Sequence, residues 1–286
     1  MAISRPRCLY CGAALPEAAL SPTPAPPSTE LAAGSDTGPA RSLLILDAGA
    51  AEPARLADVL GLRPFEAEQL ARRGGFHLHR ALALEEARSE ERRLSSAGLR
   101  VTLVPENEAR VAPVLALRGR REAGELSVRH AEGELRLGAK DLLMVVRGPI
   151  TREYQVAPKW RRLRSATLEP GYRFHLHRLL DPRPLELDPG AFELGAGAPE
   201  PSALLTLTAW VEELATGVPT DDHFRRVPPA LGAASPEADG APIAAAGLRP
   251  GGGRDKDASL VLDNLAQFRF YSGWRAAVER RRRGLG

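Results

Sequence analysis

The sequence predicts a mixed α+β protein: a small βααβαβ domain, a β-rich PH-like barrel with a capping helix, and a C-terminal amphipathic helix. Three observations point there. Over residues 42–106, short apolar runs alternate with helical segments that open on proline and close on glycine. Over residues 110–216 the pattern becomes closely spaced, alternating runs with Gly119, Gly124 and Gly133 at the turns. Over residues 259–283, apolar and aromatic side chains recur every three or four positions.

The chain opens on Cys8-Leu9-Tyr10-Cys11-Gly12, which contains its only two cysteines. A structural zinc needs four ligands and this turn supplies two, so residues 1–15 read as half of a zinc-ribbon knuckle. Histidines from afar or a second copy of the chain would have to complete it, and four thiolates would make it a homodimer contact. A redox-active dithiol and an unmetallated relic are the other readings. Residues 16–41, with Pro22-Thr23-Pro24-Ala25-Pro26-Pro27, form a linker too poor in apolar surface to offset its ordering entropy.

Leu43-Leu44-Ile45-Leu46 is a short buried strand. Pro53 opens a helix with Leu56, Val59 and Leu60 on one face, ended by Gly61; Pro64 opens a second that stops at Gly74-Gly75. Phe76–Arg80 is strand-like, residues 84–97 form a third helix ended by Gly98, and Leu99–Val104 alternates as a strand. Gly61-Leu62, Glu66-Ala67, Leu70, Ala97-Gly98, Val101, Leu103 and Val104 resemble the C-terminal domain of ribosomal protein L7/L12, a fold shared with the ClpS adaptor. The resemblance implies the fold. It does not carry over translation-factor binding, because the family's basic helical face reads here Arg55-Leu56-Ala57-Asp58 and Phe65-Glu66-Ala67-Glu68.

In the second domain, Val114–Leu117, Glu125–His130, Glu134–Leu137, Leu142–Val146, Ile150–Gln155, Tyr172–His177 and Pro184–Leu187 read as strands. Ser202 then caps a helix bearing Leu204, Leu207, Val211 and Leu214. Some seven strands followed by one helix is the element order of a PH-like barrel. Residues 217–258 read as a flexible linker, and Ser259 as the start of the last helix, with Leu262, Leu265, Phe268, Tyr271, Trp274 and Val278 on one face. That helix could lie on a membrane, dock on a partner or pack on its own β-rich domain; its mixed charge favours protein over lipid.

Composition excludes several function classes. The chain has 286 residues, enough for two small domains, and 39 cations face 36 acids, for a net charge of +3. Basic residues cluster only at Arg161-Arg162 with Arg164 and at Arg280–Arg283, which gives no strong nucleic-acid signal. No apolar run approaches the ~20 residues of a membrane span. A bacterial, cytoplasmic setting is expected.

Candidate chemistry is sparse. Phe76-His77-Leu78-His79-Arg80 is echoed by Phe174-His175-Leu176-His177-Arg178. A His-x-His strand can hold a metal, but no third ligand stands at ligand spacing, so polar faces of half-buried strands are the expected role. Asp181, Glu186 and Asp188 among prolines, and Asp221-Asp222-His223, read as turn and edge chemistry. Ser42, Ser202 and Ser259 lie at element starts and not in a nucleophile elbow, and no glycine-rich phosphate loop is present. The expectation is a non-enzymatic, protein-binding adaptor or scaffold whose candidate metal ligands are Cys8 and Cys11, for zinc. The alternatives are a metal-dependent enzyme on a His-x-His strand and a ribosome- or RNA-associated protein.

Overall fold

The first strand, β1 (Arg41–Asp47), has five buried residues in its centre and is covered on both faces. The computed structural model describes residues 41–122, 124–150, 152–156, 164–167, 171–195, 202–226 and 259–285. Cys8, Cys11 and the proline-rich stretch after them lie outside the described residues. The described residues all belong to one unit.

After β1 come α1 (Pro53–Leu60), α2 (Pro64–Arg73), β2 (Phe76–Ala83), α3 (Leu84–Ser96), β3 (Val101–Pro105) and a short α4 (Glu106–Ala109). Both α1 and α2 start on a proline, whose missing N–H costs no helical hydrogen bond at that position. Gly61 closes α1 at φ 65°, a conformation open to glycine, and donates its N–H to the Ala57 carbonyl. The strands pair antiparallel in the order β2-β1-β3. Leu44 and Leu46 pack beneath the three helices with Leu56, Ala67 and Leu94, while Leu43 and Ile45 face the other way.

The rest of the chain supplies β4 (Val114–Glu122), β5 (Glu125–His130), β6 (Gly133–Leu137), β7 (Leu142–Ile150), β8 (Arg152–Val156), β9 (Arg164–Thr167), β10 (Gly171–Arg178), β11 (Leu185–Leu187), β12 (Glu193–Leu194), α5 (Ala203–Leu214), β13 (Thr220–Asp221), β14 (Ser259–Asp263) and α6 (Leu265–Arg282). One eight-stranded sheet runs β13-β7-β10-β11-β4-β5-β6, with β12 also on β4. The strands β8, β9 and β14 form a separate three-stranded antiparallel sheet in the order β14-β8-β9.

The large sheet is open: among the described residues no pairing joins its ends, β13 and β6. That departs from the barrel expected from element order. The strands β11 and β13 enter by parallel pairing to β4 and β7, which requires crossovers in place of hairpins. Both faces also find helical cover, so curling round one interior is unnecessary. Leu207, Val211 and Leu214 of α5 pack on Phe174 and Leu176. On the opposite face α6 packs on Leu143, Met144 and Val146 of β7, and the same cluster takes in Leu43, Ile45 and Leu78 of the small sheet. The layers are therefore α1–α3, small sheet, α6 with α4, large sheet, α5.

Two sequence readings change here. The last helix begins at Leu265, because Ser259–Asp263 pairs with β8 as a strand. Nor is it one-sided: Phe268, Phe270, Tyr271, Trp274, Ala276, Ala277 and Val278 are all buried, as a helix between two sheets requires. Residues 217–226, read as linker, carry β13 and a buried Phe224 in the same core.

Candidate functional site

The pleat of β10 sends Phe174 and Leu176 toward α5 and the alternate residues Arg173, His175 and His177 toward α6. Both histidines are sealed, with 1% and 2% of their surface exposed. They meet at one atom of α6. The Ser272 Oγ lies 2.8 Å from His175 Nδ1 and 2.7 Å from His177 Nε2, and Ser272 is wholly enclosed.

The His175 Nε2 lies 3.0 Å from Glu186 Oε2 on the neighbouring strand β11, whose register places His175 opposite Glu186. Arg269, one turn before Ser272, grips the same carboxylate with both arms, at 2.8 and 2.9 Å. An ionised carboxylate can only accept, so His175 donates its Nε2–H to Glu186. A neutral His175 then accepts at Nδ1 from the Ser272 hydroxyl, and Ser272 Oγ accepts the Nε2–H of His177. Each proton in this chain has one consistent place.

The electrostatics agree with that assignment. Burial pushes His175 below its ordinary range despite Glu186 beside it, and pushes His177 well below, helped by His175, Arg280 and Arg275. Burial alone would raise the Glu186 carboxyl, but the hydrogen bonds from His175 and Arg269 prevail and hold it at about 2. Neutral imidazoles around an ionised Glu186 is the state that geometry and burial both favour.

A second buried cluster lies one turn along α6. The Tyr271 hydroxyl donates to Asp221 Oδ1 at 2.8 Å and Arg275 Nε donates to Asp221 Oδ2 at 2.5 Å. Burial works against ionisation of Asp221, yet Arg275 and the donated hydrogen bonds lower it; burial and Asp221 together raise Tyr271. The Arg275 guanidinium also stacks on Phe76 of β2, 4.5 Å from the ring centre, so one side chain ties the large sheet to the small one.

No family model matches the chain, and no curated protein or solved structure is significantly similar to it.

A serine, a histidine accepting from it and a glutamate behind the histidine repeat the order of groups in nucleophilic hydrolases. Here, however, the hydroxyl is enclosed mid-helix and already used twice, by His175 and by His177. The arrangement can clamp a helix to a sheet; it offers no approach to an electrophile.

The sequence candidates divide accordingly. His175, His177, Glu186 and Asp221 come together under α6 as buried partners, not as the strand faces and turn residues expected. Asp188 pairs with Arg173, and Asp181 accepts from Arg178 and Arg183 at the turn after β10. The echo of the motif has no common role: His77 donates to the Gly74 carbonyl at 2.8 Å, and His79 lies 3.5 Å from Glu90 of α3. Among the described residues no three His, Cys, Asp or Glu side chains form a metal-ready group. Sequence reading places Arg269 only on the polar face of the last helix and passes over Ser272. The available signal was a Ser-Gly pair, Ser272-Gly273, between the aromatic residues Tyr271 and Trp274 in mid-helix.

The lowered histidines set an acid limit. An unfolded chain takes up protons on His175 and His177 below about pH 6.5, while the native chain does not. Stability is therefore complete above pH 6.5 and falls as pH drops toward the native values. The slope is about 1.4 kcal/mol per pH unit for each histidine. Urea midpoints measured between pH 8 and pH 5 should show this fall, and a His177→Phe variant should show a shallower one. A midpoint flat down to pH 5 would contradict neutral buried imidazoles.

Proposed function

We propose that this chain is a protein-binding adaptor or scaffold, not an enzyme, with a zinc-binding N-terminus at Cys8 and Cys11. The reading of residues 42–106 as an L7/L12-like domain belongs to the same proposal and rests on element order and apolar spacing. A cytoplasmic setting also belongs to it; no described helix is long and apolar enough to cross a membrane.

The observation that carries the binding role is how one side of the large sheet is shared out. Helix α6 covers that side over β13, β7, β10 and β11. Register places Leu115 on the same side, beside Glu186, and the side continues over β4, β5 and β6 as Arg118, Arg120, Arg129 and Arg136. Leu115 and the bulged Leu117 are each 51% exposed. Leucine framed by arginine suits a protein partner, since arginine is enriched and lysine depleted in such interfaces. Acids interrupt the arginines: Arg120 pairs with Glu122 at 2.9 Å, and Glu134 stands among Arg136, Arg120 and Arg129. That balance disfavours a phosphate backbone as the ligand.

Affinity capture by the full chain and by a Leu115→Asp, Leu117→Asp variant tests the binding surface. A protein retained by the native chain after nuclease treatment should be lost from the variant. Equal retention by both would place binding elsewhere. Metal analysis of the same preparations, with Cys11→Ser alongside, tests the knuckle: zinc should leave with the thiol. Zinc that stays with Cys11→Ser and leaves with His175→Ala would favour the metal-enzyme alternative.

A further inference from the structure

The large sheet ends differently on its two sides. At one end β13 is two residues long, and its Asp221 is buried under Tyr271 and Arg275 of α6. At the other end β6 pairs only with β5, so among the described residues its outer edge carries no partner strand. Five residues of unpaired edge are a template for another strand unless something repels it.

The sequence of that edge is Gly133-Glu134-Leu135-Arg136-Leu137, with opposite charges placed symmetrically about Leu135. An antiparallel partner centred on Leu135 would set Glu134 opposite Arg136 and Arg136 opposite Glu134, with Leu135 facing its own copy and Gly133 facing Leu137. Opposite charges directly across an antiparallel pair are favourable, and like charges are not. Edge charges usually protect a strand from copies of itself; this placement makes a copy the best-matched partner. Both charged residues are exposed on the side away from α5, while Leu137 points into the core beneath it.

We infer that β6 is a homodimerisation edge, where two copies of this chain pair antiparallel about a two-fold axis through Leu135. This contact is separate from the zinc knuckle and does not depend on the adaptor reading. Five paired residues span roughly 17 Å of strand, well short of a standard interface, so the dimer is expected to be weak and reversible.

Sedimentation of the full chain from about 10 µM to 1 mM, in chelator to remove any metal-bridged dimer, tests it across the affinity range of weak interfaces. The native chain should move from monomer to dimer over that range. Glu134→Arg and Arg136→Glu each place two like-charged pairs across the axis and should weaken association at least tenfold. Mixed with each other, the two variants should restore it, because every cross-strand pair is again opposite in sign. Circular dichroism melts confirm that the variants are folded, and amide exchange at residues 134–136 of the native chain should slow with concentration. A native chain that stays monomeric at 1 mM overturns the inference. So does association that neither substitution weakens, or a mixture no tighter than its components.

Discussion

Glu186→Ala is expected to cost about 3–4 kcal/mol, near the upper end of single substitutions in a buried pair. The carboxylate, 3% exposed, is the shared acceptor for His175 and Arg269, and its loss leaves the sealed His175 Nε2–H facing nothing. Arg269, more than a third exposed, can recover water; His175 cannot. For a chain of this size the loss corresponds to a fall of roughly 10 °C in melting temperature. Glu186→Gln keeps one acceptor oxygen and the side-chain volume, so it should lose less than half as much. If Glu186→Ala melts within 2 °C of the native chain, the clamp between sheet and helix is not an energetic feature. The prediction concerns the global transition, because α6 belongs to the cores of both sheets and cannot leave one intact.

Much of the local structure was legible because it is set by neighbours in sequence. Pro53, Gly61, Pro64 and Gly98 fix helix ends through backbone conformations that no tertiary contact is needed to explain. The polar sites were not legible, for a reason that β10 makes plain. Alternating Phe-His-Leu-His predicts one dry and one wet face, and it is equally the pattern of a strand with apolar residues under one helix and polar residues under another. Which applies depends on a serine 95 residues away in sequence. Glu186 shows the same ambiguity: between prolines it reads as a turn residue, and only the pairing of β11 with β10 seals it. Asp221 reads as turn chemistry, and not as a buried partner, because two-residue β13 has no periodicity to detect. The open sheet in place of a barrel has a related cause: element order does not reveal parallel pairing, and the helix covering the second face comes last in the chain.

Gly273→Ala makes the sharpest test of the layered fold, because two physical rules predict opposite signs. Gly273 lies inside α6 with an ordinary helical conformation, so alanine should stabilise an isolated helix by about 1 kcal/mol. In the folded protein, however, a Cβ at this position would stand 2.1 Å from the Ala109 carbonyl oxygen and 2.7 Å from its carbon. Those atoms are the backbone of α4, which joins the small sheet to the large one, and no rotamer change can move them aside. The helix and α4 must separate, opening the cluster that holds Leu43, Val104, Ala109 and Val278. Overpacking of that kind costs about 1–3 kcal/mol, and the rigid backbone contact places Gly273→Ala at the upper end. A melting temperature roughly 6–10 °C lower is expected for a chain of this length. Gly171→Ala is the matched control: its Cβ would meet Ile150 at 3.5 Å, ordinary van der Waals contact, and stability should change by less than about 1 kcal/mol. Should Gly273→Ala raise the melting temperature, helix propensity outweighs packing at this position and α6 does not approach α4 closely. A fall confined to this variant means that the glycine is what allows one helix to serve as the shared core of two sheets.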